Sequence, residues 1–492
     1  KIINYINFFK YFFKQRFLPF KLLKMKQFRA FYRSSIDLIT FVGKKLSIGA
    51  RYTVRLFSVV DINNANSCNF SMSILRTITL ISFIYVVTGL AFSETKIDYR
   101  PEKGYRLLVN GEDFKVKGVA GERYLDILKA YGGNTIRTWS IDKEILDAAH
   151  KKGLKVVAGI WIQHMRHGYD YNNKRFIKKQ RKEVEAIVRK YRDHPALLAW
   201  GLGNEVEIHI PEEMIEPIWQ EMNTLAKIVK SVDPKHPVMT AVAGFNAQKL
   251  EQISRFYPEI DILGVNAYGF SHKVGDLLRE YQWAKPYMIT EFGPIGPWEM
   301  GDTKMEWGAT LEETSHEKAM RYQVAHNNAM NEQPLYCLGT FPFFWGNKQE
   351  TTTTWFGMFL PNGARLEAVD VMAKAWYGRY PTNRVPEIHA IESSAKFKKV
   401  SKGSMHQASI KVIDHENDAL TYNWVIMEES KVKSVGGDYE KTPKSFPKLI
   451  LEAKGFEVNF KAPRKKGAYR LFAYVEDTNR GAATANFPFY VE

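Results

Sequence analysis

The sequence predicts an α/β protein in which a (β/α)8 TIM barrel is followed by a small C-terminal β-sandwich. From about residue 114 to 380, short apolar, β-branched runs alternate with segments of helical periodicity. After Pro381 the helical segments stop, and short alternating strands separated by turn residues replace them. The chain has 492 residues, 45% hydrophobic and 14% aromatic, so it can bury the core that both parts need.

The positive charge of the chain is concentrated near its N-terminal end. The formal net charge is +17, but residues 1–93 hold 14 of the 70 basic and only 2 of the 53 acidic side chains. The remaining residues therefore carry a net charge of only +5. Because this body is only mildly basic, we expect no nucleic-acid partner.

The first 93 residues predict export. Residues 1–71 lack helical or strand periodicity, and we expect them to be a non-native or dispensable basic extension. Residues 72–93 contain a basic residue, Arg76, then an apolar run over 78–90, and they end in small residues at the −3 and −1 positions. This is the pattern of a secretory signal peptide. We expect a periplasmic, cell-surface or extracellular protein without a stable membrane span after cleavage; an uncleaved signal anchor is the alternative.

Eight strand–helix units make up the predicted barrel domain, residues 94–382. Strands that alternate with helices pair in parallel through crossovers, and eight such units close into a barrel. An open doubly wound sheet would favour a Gly-x-Gly-x-x-Gly turn after its first strand, and Gly118-Val-Ala-Gly121 lacks that spacing. The predicted strands span residues 114–120, 134–139, 155–162, 197–204, 238–242, 261–268, 286–292 and 335–344.

Residues 386–492 are predicted to form the sandwich. Their short strands alternate in hydrophobicity and are separated by turn clusters such as Asp414–Asp418 and Asp477–Gly481. This region resembles the immunoglobulin-like and polycystic-kidney-disease-like modules that are appended to secreted enzymes. The acidic Asp414–Asp418 loop has calcium-ligand chemistry, but a solvated turn is the preferred interpretation.

Two glutamates stand at the ends of predicted barrel strands. Glu205 ends the run Leu197-Leu-Ala-Trp-Gly-Leu-Gly-Asn-Glu, and Glu291 follows Tyr287-Met-Ile-Thr. Barrel active sites lie at the carboxyl ends of the strands, and a buried carboxylate is costly without a partner or a function. Two carboxyl groups about 5 Å apart can perform retaining glycoside hydrolysis. The alternative is that both glutamates form structural ion pairs.

These strings resemble the clan A retaining glycoside hydrolases, most closely the TIM-barrel catalytic domain of glycoside hydrolase family 2. The resemblance covers about residues 97–380, and its motifs are Lys117–Val119, Gly133–Trp139, Trp200–Glu205 and Thr290–Gly293.

The resemblance implies a role for each matching residue. Glu205 is implied to be the acid/base, and Glu291 the nucleophile, of a double displacement. Asn204 is implied to bind the 2-hydroxyl of the sugar, and Arg137 to keep Glu291 ionised. Tyr268 matches the position at which these hydrolases have an aromatic residue or a histidine beside the nucleophile. The site therefore predicts a carbohydrate substrate.

Aromatic residues near the strand ends are further candidates for substrate binding. Trp345 matches the family's sugar-stacking tryptophan, whereas Trp161 and His164 are candidates from their positions near the predicted mouth. His164-x-x-His167 has no partner set at zinc spacing, so we expect no metal and no cofactor.

Several alternatives stay open at this stage. The substrate is expected to be a β-linked oligo- or polysaccharide, but the sequence does not give the sugar, the linkage or the oligomeric state. A β-glucan transglycosylase of the same fold is the first alternative to a hydrolase. A catalytically silent carbohydrate-binding surface protein is the second.

Overall fold

The computed structural model describes residues 93–492, except 333–334 and 432–435. Residues 1–71 and all but the last residue of the predicted signal peptide thus lie outside the described residues. Ser93, that last residue, is buried, and its Oγ donates to the carbonyl of Leu197 at 2.8 Å. Cleavage after Ser93 would remove this contact. No helix of the described residues is both long and apolar enough to span a membrane.

A three-stranded antiparallel sheet precedes the barrel and is not among the predicted elements. It consists of β1 (Thr95–Arg100), β2 (Gly104–Val109) and β3 (Glu112–Phe114). Asn110 and Gly111 join β2 to β3 with φ angles of 54° and 86°. Such a two-residue Asn-Gly loop is a strong sequence signal for a type I′ hairpin, so the sheet was predictable.

Eight parallel strands form a nearly closed TIM barrel, as predicted. They are hydrogen-bonded in chain order, so each strand has its sequence neighbours beside it. The strands are β4 (Gly118–Ala120), β5 (Thr135–Arg137), β6 (Lys155–Ile160), β7 (Leu197–Asn204), β8 (Val238–Ala243), β9 (Ile262–Asn266), β10 (Tyr287–Phe292) and β11 (Cys337–Pro342).

The first and last barrel strands meet through close packing. A Cβ added to Gly118 would lie 2.4 Å from the ring of Phe341, so only glycine lets β4 approach β11 this closely. Just beyond β11, the Trp345 N–H donates to the carbonyl of Ala120 at 2.9 Å. The barrel interior is filled by apolar side chains such as Val157 and Met239.

Helices cover the outside of the barrel. Most present a buried apolar stripe to the strands, and several begin at a side chain that accepts a backbone N–H, such as Asn173 and Thr314. The α-helices are α1 (Leu125–Ala130), α2 (Lys143–Lys151), α3 (Lys174–Tyr191), α4 (Ile215–Val232), α5 (Ala247–Phe256), α6 (Val274–Glu280), α7 (Ser315–Asn327) and α8 (Glu367–Tyr377). Shorter 3₁₀ and π segments span Met165–His167, Glu212–Met214, Ser271–Lys273, Gly301–Thr303, Asn328–Glu332 and Pro447–Leu449.

The C-terminal region consists of two sheets that share one apolar core. Their order is β12-β20-β19-β16, with β14 also on β20, and β13-β15-β18-β17. The strands are β12 (Arg365–Leu366), β13 (Glu387–Ser393), β14 (Lys399–Val400), β15 (Met405–Ile413), β16 (Thr421–Glu428), β17 (Ile450–Lys454), β18 (Glu457–Lys461), β19 (Gly467–Glu476) and β20 (Gly481–Val491).

The barrel and the C-terminal sheets are joined through buried polar contacts. The short strand β12, which leads into α8 of the barrel, pairs with β20 and so extends a C-terminal sheet. Arg470 on β19 is 1% exposed and donates to the carbonyl of Thr310 at 2.7 Å. Thr484 N–H donates to Ser315 Oγ at 2.9 Å at the start of α7. These contacts hold the C-terminal region against one side of the barrel.

Candidate active site

The carboxyl ends of four barrel strands bring the predicted polar residues together. Arg137 ends β5, Asn204 ends β7 and Glu205 follows it directly, and Glu291 is the penultimate residue of β10. Tyr268 follows β9, two residues after its end. All five side chains are less than a tenth exposed. They therefore form one buried polar cluster at the mouth of the barrel.

Glu291 accepts three hydrogen bonds. Arg137 Nη1 donates to Oε1 at 2.8 Å, and Trp139 Nε1 donates to the same oxygen at 3.2 Å. The Tyr268 hydroxyl donates to Oε2 at 2.8 Å. Burial and the negative charge of Glu291 raise the pKa of Tyr268 well above its usual value, so this hydroxyl keeps its proton. The Glu291 carboxyl group is therefore held by one charge-assisted hydrogen bond and by two neutral donors.

Glu205 lies in a different environment. Its Oε1 accepts from Asn266 Nδ2 at 2.8 Å, and none of the described ion pairs includes it. Burial, together with the negative charge of Glu291, raises the pKa of Glu205 to about 8. The residue has a φ of 52°, in the left-handed region that non-glycine residues rarely adopt. Such backbone outliers cluster at functional sites.

A chain of hydrogen bonds links the two glutamates. Arg137, which binds Glu291, also donates from Nη2 to Asn204 Oδ1 at 2.5 Å. Asn266 Nδ2 donates to this oxygen at 3.2 Å as well as to Glu205. Thr290 Oγ1 donates to Asn266 Oδ1 at 2.7 Å and fixes the orientation of that amide. The relative position of the two carboxyl groups is therefore set by directional bonds.

Chemically, the arrangement places two carboxyl groups in unlike environments. Glu291 has a cationic partner, whereas Glu205 has a neutral hydrogen-bond partner and a pKa raised by burial and by the charge of Glu291. Two carboxyl groups in unlike environments can divide acid and nucleophile roles between them.

Trp161 and His164 lie beside this cluster in a stack of rings. The Trp161 and His164 rings are 4.9 Å apart at an angle of 12°, and Trp161 is 37% exposed. His164 is 1% exposed, so its ring supports Trp161 and is not open to solvent. Burial and the neighbouring Arg166 lower the pKa of His164 to about 4, which keeps it neutral. Direct substrate contact by His164 does not fit this burial.

The predicted sugar-stacking role of Trp345 also does not fit the structure. Its side chain is 0% exposed and packs edge-on against Phe359, with ring centroids 5.0 Å apart. The half-buried ring of Phe344, one residue earlier, lies 6.0 Å from that of Trp139. The chain after β11 thus turns Trp345 into the core, because its backbone bonds to Ala120, and leaves Phe344 nearer the cluster.

Some residues of the site were missed by the sequence reasoning. Asn266 bonds to both Asn204 and Glu205, and it ends β9 just as Asn204 ends β7. The rule that polar residues at strand ends are functional would have found it. Asp438 in the C-terminal region binds Arg166 and His167 at 3.2 Å and reaches the ring stack. No sequence signal places that loop beside the barrel mouth.

Residues with metal-ligand chemistry converge at two places outside this cluster. In the described part of the chain, these groups are His316, Glu387 and His389, and Asp414, Asp418 and Asp477.

A TIM barrel with two electrostatically unlike carboxyl groups at its mouth has the architecture of a glycoside hydrolase. Residues 122–320 match the family model "Glycosyl hydrolases family 2, TIM barrel domain". The barrel is thus similar to the TIM barrel domain of glycoside hydrolase family 2, which confirms the resemblance seen in the sequence motifs.

Individual relatives match parts of the chain. Beta-glucuronidase of Felis catus is 24% identical over 225 residues, covering 38% of this chain and 32% of the relative. Mannan endo-1,4-beta-mannosidase F of Aspergillus clavatus is 30% identical over 134 residues, 24% of this chain and 30% of the relative. The match thus spans about a third of the length of these relatives. A solved structure of Bacteroides uniformis beta-glucuronidase is also similar to this chain. The alignment covers 81% of this chain and 48% of the beta-glucuronidase chain, with 13% identity and a TM-score of 0.44.

Replacing Arg137 with lysine tests the role of this guanidinium. One ammonium group cannot reproduce the three bonds that Arg137 makes to Glu291, Thr290 and Asn204. We expect Arg137→Lys to lower the free energy of unfolding by about 1–3 kcal/mol, because buried polar groups lose partners. We also expect activity to fall on the order of 100-fold. Chemical denaturation and steady-state kinetics measure the two effects.

The matched control for this variant is Arg189→Lys. Arg189 is exposed on α3, and its side-chain hydrogen bonds within residues 93–492, as far as these are described, go to Glu185, four residues away. Its replacement is therefore expected to change neither the free energy of unfolding nor the activity. Equal behaviour of the two lysine variants would contradict the proposed role of Arg137.

Proposed function

We propose that this protein is a retaining β-glycoside hydrolase that acts on a β-linked oligo- or polysaccharide. Glu205 acts as the acid/base, and Glu291 acts as the nucleophile. The observation that carries the proposal is the contrast between the two carboxyl groups: Glu291 is paired with Arg137, and Glu205 is buried with a raised pKa. The match of the barrel to family 2 supports the same reaction class.

Each step of the double displacement has a residue suited to it. In the first step Glu291 attacks the anomeric carbon, while protonated Glu205 gives its proton to the departing oxygen. In the second step ionised Glu205 takes a proton from water, which attacks the same carbon and releases Glu291. The hydrogen bonds from Tyr268 and Trp139 would orient the attacking carboxylate.

We expect three groups to bind the sugar. The Asn204 amide oxygen accepts hydrogen bonds from Arg137 and Asn266, so the amide nitrogen is the group that would donate to the 2-hydroxyl. Trp161 is open to solvent and offers an apolar face to a pyranose ring. The half-buried ring of Phe344, near Trp139, is the third candidate.

Assays on a panel of substrates test the proposal. The panel should contain aryl β-glycosides, β-mannan, β-glucan and a β-glucuronide, since relatives are named for glucuronide and mannan substrates. Transfer to an added sugar acceptor would identify the transglycosylase alternative. If the wild-type protein turned over no member of the panel, the silent carbohydrate-binding alternative would replace the enzyme proposal.

The pH profile of kcat/KM is expected to reflect the raised pKa of Glu205. The acid step needs the protonated carboxyl group, which persists below the pKa and is lost above it. Since the pKa of Glu205 is raised to about 8, activity should extend through neutral pH and fall on the alkaline side of that value. An alkaline limb near pH 4–5, the ordinary carboxyl range, would contradict this assignment.

We further propose that the protein is exported by residues 72–93 and that residues 386–492 form an immunoglobulin-like sandwich. The composition of the N-terminal segment supports the first proposal, and two sheets on a common core support the second. N-terminal sequencing of protein recovered outside the producing cell tests export. A mature N-terminus well before Met72 would contradict it.

A further inference from the structure

A cluster of histidines and glutamates lies where the barrel meets the C-terminal sheets. We define this junction cluster as His316, Glu367, Glu387 and His389. His316 lies in the first turn of α7, and Glu367 is the first residue of α8, both in the barrel. Glu387 begins β13 in the C-terminal region, and His389 follows two residues later on the same strand. The cluster therefore draws ligand-type side chains from two parts of the fold.

The separations between its polar atoms fit one small ion. His316 Nδ1 lies 2.9 Å from Glu367 Oε2 and 3.7 Å from Glu387 Oε2. His389 Nε2 lies 3.1 Å from Glu387 Oε2. Tetrahedral zinc has bonds of about 2.0–2.2 Å to these atom types, so its ligand atoms are roughly 3.3 Å apart. The three measured separations lie on either side of that value.

A buried oxygen of the cluster also favours a cation. Glu367 is 2% exposed, and its Oε1 is buried without a hydrogen-bond partner in the described part of the chain. A buried polar oxygen without a partner is costly, and a bound metal ion would compensate it.

Neighbouring residues hold Glu387 in place from its other side. His415 Nε2 lies 2.8 Å, and Arg384 Nη2 2.6 Å, from Glu387 Oε1, whereas Oε2 faces the two histidines of the cluster. Outer-shell partners of this kind orient the carboxylate ligands of metal sites. The side chains of His316 and His389 are 23% and 31% exposed, which gives an ion a route of entry.

We propose that the junction cluster binds one zinc or similar transition-metal ion that ties the barrel to the C-terminal sheets. His316, Glu387 and His389 each offer one ligand atom within 4.8 Å of the other two, and the Glu367 carboxyl group lies beside His316 as the fourth donor. Such a set suits zinc, which prefers nitrogen and oxygen ligands in tetrahedral geometry. The sequence does not predict this site, because the ligands come from 316, 367, 387 and 389 and follow no short zinc spacing. The role is structural and does not depend on the proposed glycosidase activity.

Cobalt binding to the full chain tests the proposal. The protein is treated with chelator and transferred to buffer with excess Ca²⁺, which occupies oxygen-only sites such as Asp414, Asp418 and Asp477. Titration with Co²⁺ should give the visible absorption bands of a four-coordinate site at one equivalent per chain, and Zn²⁺ should displace them. Zn²⁺ should also raise the melting temperature relative to chelator.

Variants identify the ligands. His389→Ala should weaken Co²⁺ and Zn²⁺ binding by about 100-fold or more, since even loss of an outer-shell partner costs about 10–100-fold. His406→Ala is the matched control, because His406 lies on the adjacent β15 and forms its hydrogen bonds with Ser394 and Ser404 among the described residues. Its metal binding should equal that of the wild type. Equal binding by His389→Ala and wild type would overturn the proposal.

X-ray absorption on the zinc-loaded wild type decides the matter even if His389→Ala does not fold. The expected first shell contains only nitrogen and oxygen at about 2.0–2.1 Å, with outer-shell scattering from two imidazoles. A sample that retains no zinc, or zinc without imidazole scattering, would overturn the proposal.

Discussion

Glu291→Ala is expected to abolish detectable turnover of β-glycosides, with kcat lowered by about 10⁴-fold or more. The loss is large because Glu291 forms a covalent bond to the sugar in the proposed mechanism. Added azide should restore activity by entering the space of the missing carboxylate. The product should be the α-glycosyl azide, with inverted configuration, since azide attacks from the side of Glu291.

Glu213→Gln is a suitable control for this variant. Glu213 is exposed in the short helix before α4, so its replacement should leave kcat unchanged. Circular dichroism should show that Glu291→Ala is folded. A folded Glu291→Ala protein that retains more than about a tenth of wild-type kcat would contradict the nucleophile assignment.

Glu205→Ala is expected to produce a smaller loss that depends on the leaving group. General acid/base catalysis contributes about 10²–10⁴-fold, and a good aryl leaving group departs without a proton. We therefore expect a severe loss for unactivated saccharides and a mild one for dinitrophenyl glycosides. Azide should rescue the second step and give a β-glycosyl azide of retained configuration.

Glu205→Gln separates charge from shape at this position. The amide keeps the size of the side chain and its partner Asn266, but it has no acidic proton. Like Glu205→Ala, the Glu205→Gln variant should lose much activity toward unactivated saccharides and little toward dinitrophenyl glycosides. The alkaline limb should also be absent from its pH profile. Uniform loss across all leaving groups would show that Glu205 positions the sugar and is not the acid.

The barrel was predictable because its strands are buried on both faces. The run Leu197–Asn204 is buried at every position, so its apolar character in the sequence directly reflects its place in the fold. The Asn110-Gly111 dipeptide also carries a hairpin signal in the sequence. The pairing of β12 with β20 carries no such signal, since a strand of two residues has no periodic pattern.

The polar core of the active site was predictable for a related reason. A polar residue that ends an apolar strand must lie at the barrel mouth, and this rule places Asn204, Glu205 and Glu291 in one cluster. The position of Trp345 is not decided by this rule. It lies three residues after β11, where the path of the loop decides between core and mouth, and sequence pattern does not specify that path.

Trapping of the covalent intermediate tests directly whether Glu291 is the nucleophile of a retaining mechanism. The wild-type protein is incubated with 2-deoxy-2-fluoro β-glycosides of several sugars, and the labelled peptides are sequenced by mass spectrometry. We expect a substrate-matched reagent to inactivate the enzyme and to leave one sugar ester on Glu291. A sugar ester on any other residue, or turnover with inverted configuration at the anomeric carbon, would contradict it.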